Sequence, residues 1–132
     1  MINRIIFASA KEVKEVKSKL ESNDEIFIIE IEGERCLFLA DYLNSMSNLF
    51  QFPIKAQGLD GYNDWMRDLS WLNKEQIIII INDFFKFLQR DTLSKEVIIE
   101  DFKEVILPWW ESEVTNCVVG GKTKKMLVYL VE

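Results

Sequence analysis

Three aspartates, Asp60, Asp64 and Asp68, recur every four residues in the stretch GLDGYNDWMRDLSW, residues 58–71. On a helix these positions form one stripe, and like charges so placed destabilise an isolated helix by about 0.2–0.5 kcal/mol per pair. Aligned carboxylates can serve acid–base catalysis, a divalent cation or a cationic partner surface. All-carboxylate metal sites draw ligands from several segments or from a loop with alternating ligands, not from one helical stripe. No metal, cofactor or catalytic residue is therefore expected. The stripe also has two ordinary explanations. It can be a solvated helix face, and Asp60 can be an N-cap, with Gly61 in the first turn, whose carboxylate serves backbone N–H groups.

Other chemistry is mostly excluded. The chain has no histidine, which removes His-based triads and the commonest general base. Cys36 and Cys117 stand far apart, with no CxxC or zinc-like spacing. Neither has the histidine that a thiolate catalyst ordinarily needs. Gly120-Gly121-Lys122-Thr123 imitates the end of a phosphate-binding loop. That motif needs a glycine where this chain has Asn116, and a helix after the threonine where this chain runs KKMLVYLVE. A turn is expected there.

The 132 residues carry a net charge of −6 and a pI near 4.8, which argues against direct nucleic-acid binding. From Asp24 to Glu113 there are 18 Asp and Glu against 8 Lys and Arg. The acidity therefore surrounds the aspartate stripe, while lysines gather near both ends. The start, MINRIIFASAKEVKEVK, lacks the apolar run of a signal peptide. IIIII at 77–81 is too short to span a bilayer. A cytoplasmic protein with no membrane contact is expected.

The elements that must position the stripe follow from periodicity. Ile5–Ala8 reads as a strand, and Ser9 caps a helix with Val13, Val16 and Leu20 on one face. Ile26–Ile31 reads as a strand and 37–50 as an amphipathic helix, followed by a loop over 51–58. Residues 59–72 are predicted as one helix, with Tyr62, Trp65, Met66, Leu69 and Leu72 inward. Gln76–Ile81 has no polar face and suits a strand buried on both sides. Asn82 and Asp83 cap a short helix through Phe84, Phe85 and Leu88. A longer helical pattern starts at Ser94, with Pro108 kinking or splitting it. Of the adjacent Trp109 and Trp110, at most one can face fully inward. Residues 114–119 and 126–131 read as strands that can pair as a hairpin about Gly120-Gly121. Alternating strands and helices give an α/β class with a small, mostly parallel sheet of three to four strands.

The segment Phe52–Leu72, FPIKAQGLDGYNDWMRDLSWL, with the apolar strand after it, resembles the barstar family of ribonuclease inhibitors. That family carries a Phe-Pro, a short loop, an Asp-x-x-x-Asp helix start and an Arg-Asp-Leu-x-Trp-Leu continuation. Asp60 and Asp64 match the two aspartates, and Arg67–Leu72 matches the continuation. The loop Lys55–Leu59 is one residue shorter than the family's, and Gly61, Tyr62 and Asn63 fill the space between the aspartates. The resemblance implies a single barstar-like domain over 1–132, with a core over 25–132 and an added strand–helix unit over 1–22. It implies an immunity or antitoxin protein, monomeric when free, that plugs the basic cleft of a cognate ribonuclease toxin without catalysis of its own. Asp64, then Asp60, would stand in for substrate phosphate. Asn63, Arg67 and Asp68 would flank them, Gly58 and Leu59 would form the abutting loop, and Glu111 or Glu113 would add a peripheral contact. Two other readings remain at this stage: an acidic interaction module with a non-nuclease partner, and a carboxylate-based enzyme.

Overall fold

Five consecutive isoleucines, Ile77–Ile81, have no solvent exposure at all. They form β3 (Gln76–Asn82) of a four-stranded sheet. The structure, a computed structural model, describes residues 3–132; Met1 and Ile2, the first residues of the expected N-terminal unit, lie outside the described residues. The strand order is β1-β4-β3-β2, with β1 (Arg4–Ala8), β2 (Ile26–Glu32) and β4 (Lys125–Val131), and every pairing is parallel. The α/β class and the small parallel sheet match the sequence reading.

A strand with apolar residues at every position needs cover on both sides. Ile78 and Ile80 point to one face, where Val13, Val16 and Leu20 of α1 (Ala10–Leu20) pack on them together with Val131. Ser9 caps α1 by accepting the Glu12 N–H at 3.1 Å, as expected. Ile77, Ile79 and Ile81 point to the other face, beneath α2 (Leu39–Leu49), α3 (Leu59–Met66) and the long C-terminal helix. Asn3, buried at 3% exposure, ties the N-terminal unit to the rest. Its amide donates to Leu107 O and Lys124 O and accepts the Met126 N–H.

Four expectations need correction. Residues 114–119 are not a strand: Val114–Cys117 is α5, the last turn of the long helix. Both edges of β4 are already taken by β1 and β3, so no hairpin partner can pair with it. Pro108 does not split the helix. α4 (Thr92–Asp101) runs on through two wider π-helical turns, Phe102–Ile106 and Trp109–Glu113, on either side of a Pro108 that keeps helical dihedrals. The wider turns absorb the missing proline donor without a break. The helix after Asn82-Asp83 is a single 3-10 turn, Phe84–Lys86, and Leu88 lies beyond it in a left-handed conformation. Among the described residues, no side chain caps that turn. The fourth correction, the length of α3, belongs to the site.

Two predictions follow from this packing. Gly33 lies so close to the end of β3 that an added Cβ would sit 2.3 Å from Asn82 O and 2.5 Å from Asp83 O. Gly33→Ala is expected to destabilise the chain by about 1–3 kcal/mol through overpacking against rigid backbone, read as a lower urea midpoint at unchanged slope. Deleting residues 1–22 strips the cover from Ile78, Ile80 and Val131 and frees an edge of β4. The shortened chain is expected to lose its cooperative thermal transition and scatter light. A cooperative melt at the full-length temperature would show that the second face needs no cover.

Candidate functional site

The helix carrying the aspartates is shorter than its pattern suggests. α3 ends at Met66, with Arg67 as its C-cap, whereas the spacing predicts a helix to Leu72. Leu69 is fully buried with φ +49°, a left-handed conformation that breaks the helical path. The freed helix-end carbonyl of Met66 accepts a 2.8 Å hydrogen bond from the Trp110 indole N–H. The Trp71 indole does the same for Phe50 O, at the C-cap of α2, at 2.8 Å. Each indole satisfies one carbonyl that a helix end leaves unpartnered. The apolar pattern past Met66 thus records burial in a turn, not continued helix.

This divides the stripe. Asp60 and Asp64 sit one turn apart on α3, and Asp68 lies beyond its end, exposed in the turn that follows. Asp60 is not the N-cap either. Gly58 holds that position with extended backbone, and Asp60 is inside the first turn, where the helix dipole favours a negative charge. Asp64 has its side chain 75% exposed, and among the described residues it pairs with Arg67 Nη2 at 3.5 Å.

Buried residues hold α3 from beneath. Tyr62 and Met66 have no exposure, and the Tyr62 hydroxyl meets that of Tyr42 on α2 at 2.6 Å. Burial pushes both phenols well above the usual tyrosine range. Trp65 packs edge-on to Trp71, ring centroids 5.6 Å apart, and against Phe52 at 6.5 Å. Trp65 is therefore a packing residue, as its place on the inward face suggests.

Gly58, Leu59, Asp60 and Asp64 line one open cleft of about 840 Å3, together with Ile54 and Trp65. Leu39 and Lys55 also reach it. The other three expected site residues do not line it. Asn63 and Arg67 turn toward the long helix, and Asp68 is displaced past the end of α3. Glu111 accepts the Asn3 backbone N–H at 2.8 Å, and Glu113 is exposed in the same π-helical turn near the end of that helix. Neither glutamate borders the cleft. Trp110 faces inward at 3% exposure and Trp109 is half-buried, so one of that pair is inward, as expected.

The long helix brings in a residue that the sequence does not single out. Asp101 of α4 is half-buried, and burial raises its carboxyl above the ordinary range, while the Asn63 amide and the charge of Arg67 act in the opposite direction. Asn63 Oδ1, Asp101 Oδ2 and Trp109 Nε1 are all buried without a hydrogen-bond partner among the described residues. The Arg67 guanidinium lies 5.7 Å from the centre of the Trp109 ring, and its Nε donates to Asn63 O at 3.3 Å. In the sequence Asp101 is one more acid on a helix; only the approach of Asn63 and Arg67 to it reveals its setting. Among the described residues, no group of acids, cysteines or histidines could hold a metal.

Asp101 sets a pH dependence. A carboxyl whose folded pKa is raised binds protons more tightly in the folded chain than in the unfolded one. Its charge therefore costs stability as pH rises from the unfolded value, about 3.9, through the raised folded value. Asp101→Asn is expected to match wild type at pH 3 and to exceed it at pH 7, measured as urea unfolding free energy at both pH values. A variant that loses stability on going from pH 3 to pH 7 relative to wild type would show that Arg67 and Asn63 outweigh burial.

The geometry thus comprises an acidic cleft, a short helix pinned by two buried tyrosines and an indole donor, and a parallel sheet behind them. No curated protein and no solved structure matches the chain. The family model described as Barstar (barnase inhibitor) matches residues 26–120, from the start of β2 to the glycine turn before β4. That span holds α2, the cleft, α3, β3 and the long helix, and leaves β1, α1 and β4 outside it. The chain belongs to the Barstar family of barnase inhibitors.

Proposed function

We propose that this protein is an immunity or antitoxin protein that inhibits a ribonuclease made in the same cytoplasm. The Gly58–Asp64 cleft would be seated on the enzyme's cationic active site. The observation that carries this reading is Asp64: a carboxylate three-quarters exposed, at the mouth of an open cleft, on a helix fixed from beneath. A ribonuclease must present positive charge to bind the phosphates of its substrate. Asp64 and Asp60, about 6 Å apart along the helix axis, offer two anionic groups in their place. Leu59, Ile54 and Trp65 supply apolar surface around them. The inhibitor reacts with nothing and acts by occupation.

The division of the stripe ranks the contacts. Asp64 makes the main anionic contact and Asp60 the second. Gly58 and Leu59 form the abutting wall. Asp68 contributes to the long-range field rather than to the seat. Arg67 and Asn63 act from behind, by fixing the helix and sharing charge with Asp64. The net charge of −6 speeds encounter with a cationic cleft, an effect screened by salt.

Cleavage of RNA by the cognate ribonuclease, co-expressed and co-purified with this chain, tests the reading. Asp64→Ala is expected to raise the inhibition constant roughly 10- to 150-fold, equivalent to about 1.5–3 kcal/mol for a hydrogen bond to a charged group. Asp68→Ala is expected to change it by less than about fivefold, as for an exposed charge. Raising salt should slow association for wild type and variants alike. If Asp60→Ala with Asp64→Ala still inhibits as wild type does at high salt, the cleft is not the seat. Failure to bind any ribonuclease would favour an acidic module with another partner.

A further inference from the structure

A second cleft, of about 500 Å3, lies at the amino ends of β3 and β4, where Gln76 pairs with Lys125. Four lysines line it: Lys74, Lys122, Lys124 and Lys125. Thr123, Asn73 and one carboxylate, Glu75, complete the wall. In a chain of net charge −6, this is a local excess of three positive charges. None of the four lysines is within ion-pair distance of a carboxylate among the described residues. The acidic cleft reaches Leu39, in the segment that follows the carboxyl end of β2, so the two clefts lie toward opposite ends of the strands.

Two of the four cations are held in place by hydrogen bonds. Lys74 Nζ donates to Asp24 O, and Lys124 Nζ donates to Lys74 O while lying 5.4 Å from the centre of the Trp110 ring. The main chain fixes the same wall: Lys124 N–H bonds Trp110 O at 3.0 Å and Lys125 N–H bonds Glu75 O at 3.0 Å. Each ammonium has three donors, so Lys74 and Lys124 keep donors to spare after these bonds. Lys122 and Thr123 have no backbone N–H partner among the described residues. Burial lowers the Lys124 ammonium from its ordinary range, while the charge of Glu75 acts in the opposite direction.

The glycines of the GGKT motif have a different task. Gly120 takes φ +71°, and an added Cβ on Gly121 would sit 2.4 Å from Val114 O. They turn the chain tightly off the end of α5, and β4 follows in place of the helix that a phosphate-binding loop requires. The nucleotide motif is absent. What the turn does produce is a row of lysines, Lys122, Lys124 and Lys125, opposite Lys74.

We infer that this cleft binds a small phosphate-type anion, of the size of a diphosphate, between Lys74, Lys122, Lys124 and Lys125. Four cations gathered around the single carboxylate Glu75 repel one another, and a multivalent anion removes that repulsion. The volume admits a diphosphate. A long polyanion would extend beyond the local cations into the field of a −6 protein, and is disfavoured. This inference is independent of the acidic cleft and survives the failure of the inhibitor reading.

The test is calorimetric titration of the full chain with inorganic pyrophosphate at constant ionic strength, alongside backbone amide shifts. Saturable binding of one anion is expected, with shifts confined to residues 73–75 and 121–125. Lys122→Gln with Lys125→Gln alters two exposed side chains. It is expected to leave the melting temperature of the free chain unchanged or higher, and to weaken pyrophosphate at least about tenfold, or 1.4 kcal/mol. Absence of saturable binding would overturn the proposal, as would equal binding by the variant. A short oligoribonucleotide is the second arm. Weaker binding than pyrophosphate supports the small-anion assignment, and tighter binding overturns it.

Discussion

The structure depends on the complete burial of Ile77–Ile81. A strand apolar on both faces sits at the middle of a parallel sheet, between two layers of cover. The face of Ile77, Ile79 and Ile81 is covered by α2, α3 and the long helix, all within the span that the family model matches. The face of Ile78 and Ile80 is covered by α1, which lies outside that span. The N-terminal strand and helix therefore do not decorate a finished core. They complete one, and Asn3 joins them by three side-chain hydrogen bonds to the far end of the chain.

With the sheet fixed, the placement of the aspartates follows from how α3 is held. Tyr62 and Met66 anchor one side of an eight-residue helix, and Trp110 takes the carbonyl at its end. So short a helix is marginal in isolation, because nucleation is costly and few backbone bonds reward it. Tertiary contacts supply its stability, so repulsion of a few tenths of a kcal/mol between Asp60 and Asp64 matters little. The same contacts stop the helix at Met66 and remove Asp68 from the stripe. The left-handed turn at Leu69 and the Trp110 indole on Met66 O together fix where the helix ends, and so which carboxylates share its surface.

The elements with strong periodicity were legible in the sequence. β3 reads directly from five isoleucines, α1 from Ser9 and its valine–leucine face, and α2 from its apolar spacing. The family resemblance reads from Asp60, Asp64 and the Arg67–Leu72 run. What the sequence hides is where a pattern changes its physical cause. Leu69 and Leu72 continue the helical spacing of Tyr62 and Met66, yet Leu69 is buried from a left-handed turn. Val118 and Val119 favour strand locally, but both neighbours of β4 are already taken. Pro108 signals a break that two wide turns absorb. Within the site, Gly58, Leu59, Asp60 and Asp64 were chosen from sequence and do share a cleft, whereas Asn63 and Arg67 face α4. Asp101 carries no local signal, because its setting comes from Asn63 and Arg67, which stand far from it in the chain.

Arg67 stands near Asp64 without masking its carboxylate. A guanidinium three residues from Asp64 would neutralise it if the two formed a tight, bidentate pair. Instead the contact is a single 3.5 Å approach between partly exposed groups. Such pairs contribute about 0–1 kcal/mol. Arg67 is drawn elsewhere at the same time, by the Trp109 ring, the Asn63 carbonyl and the charge of Asp101. Each of these lies on the inner side of α3 or on the long helix, away from the cleft. Asp64 therefore keeps only a loose counter-ion, which under the proposed inhibitor reading a partner's cation would replace at little cost. A lysine at position 67 would keep the charge but lose the planar stack and the fork of donors. Its ammonium would be freer to settle on Asp64, so the arginine leaves the carboxylate less closely paired than a lysine would.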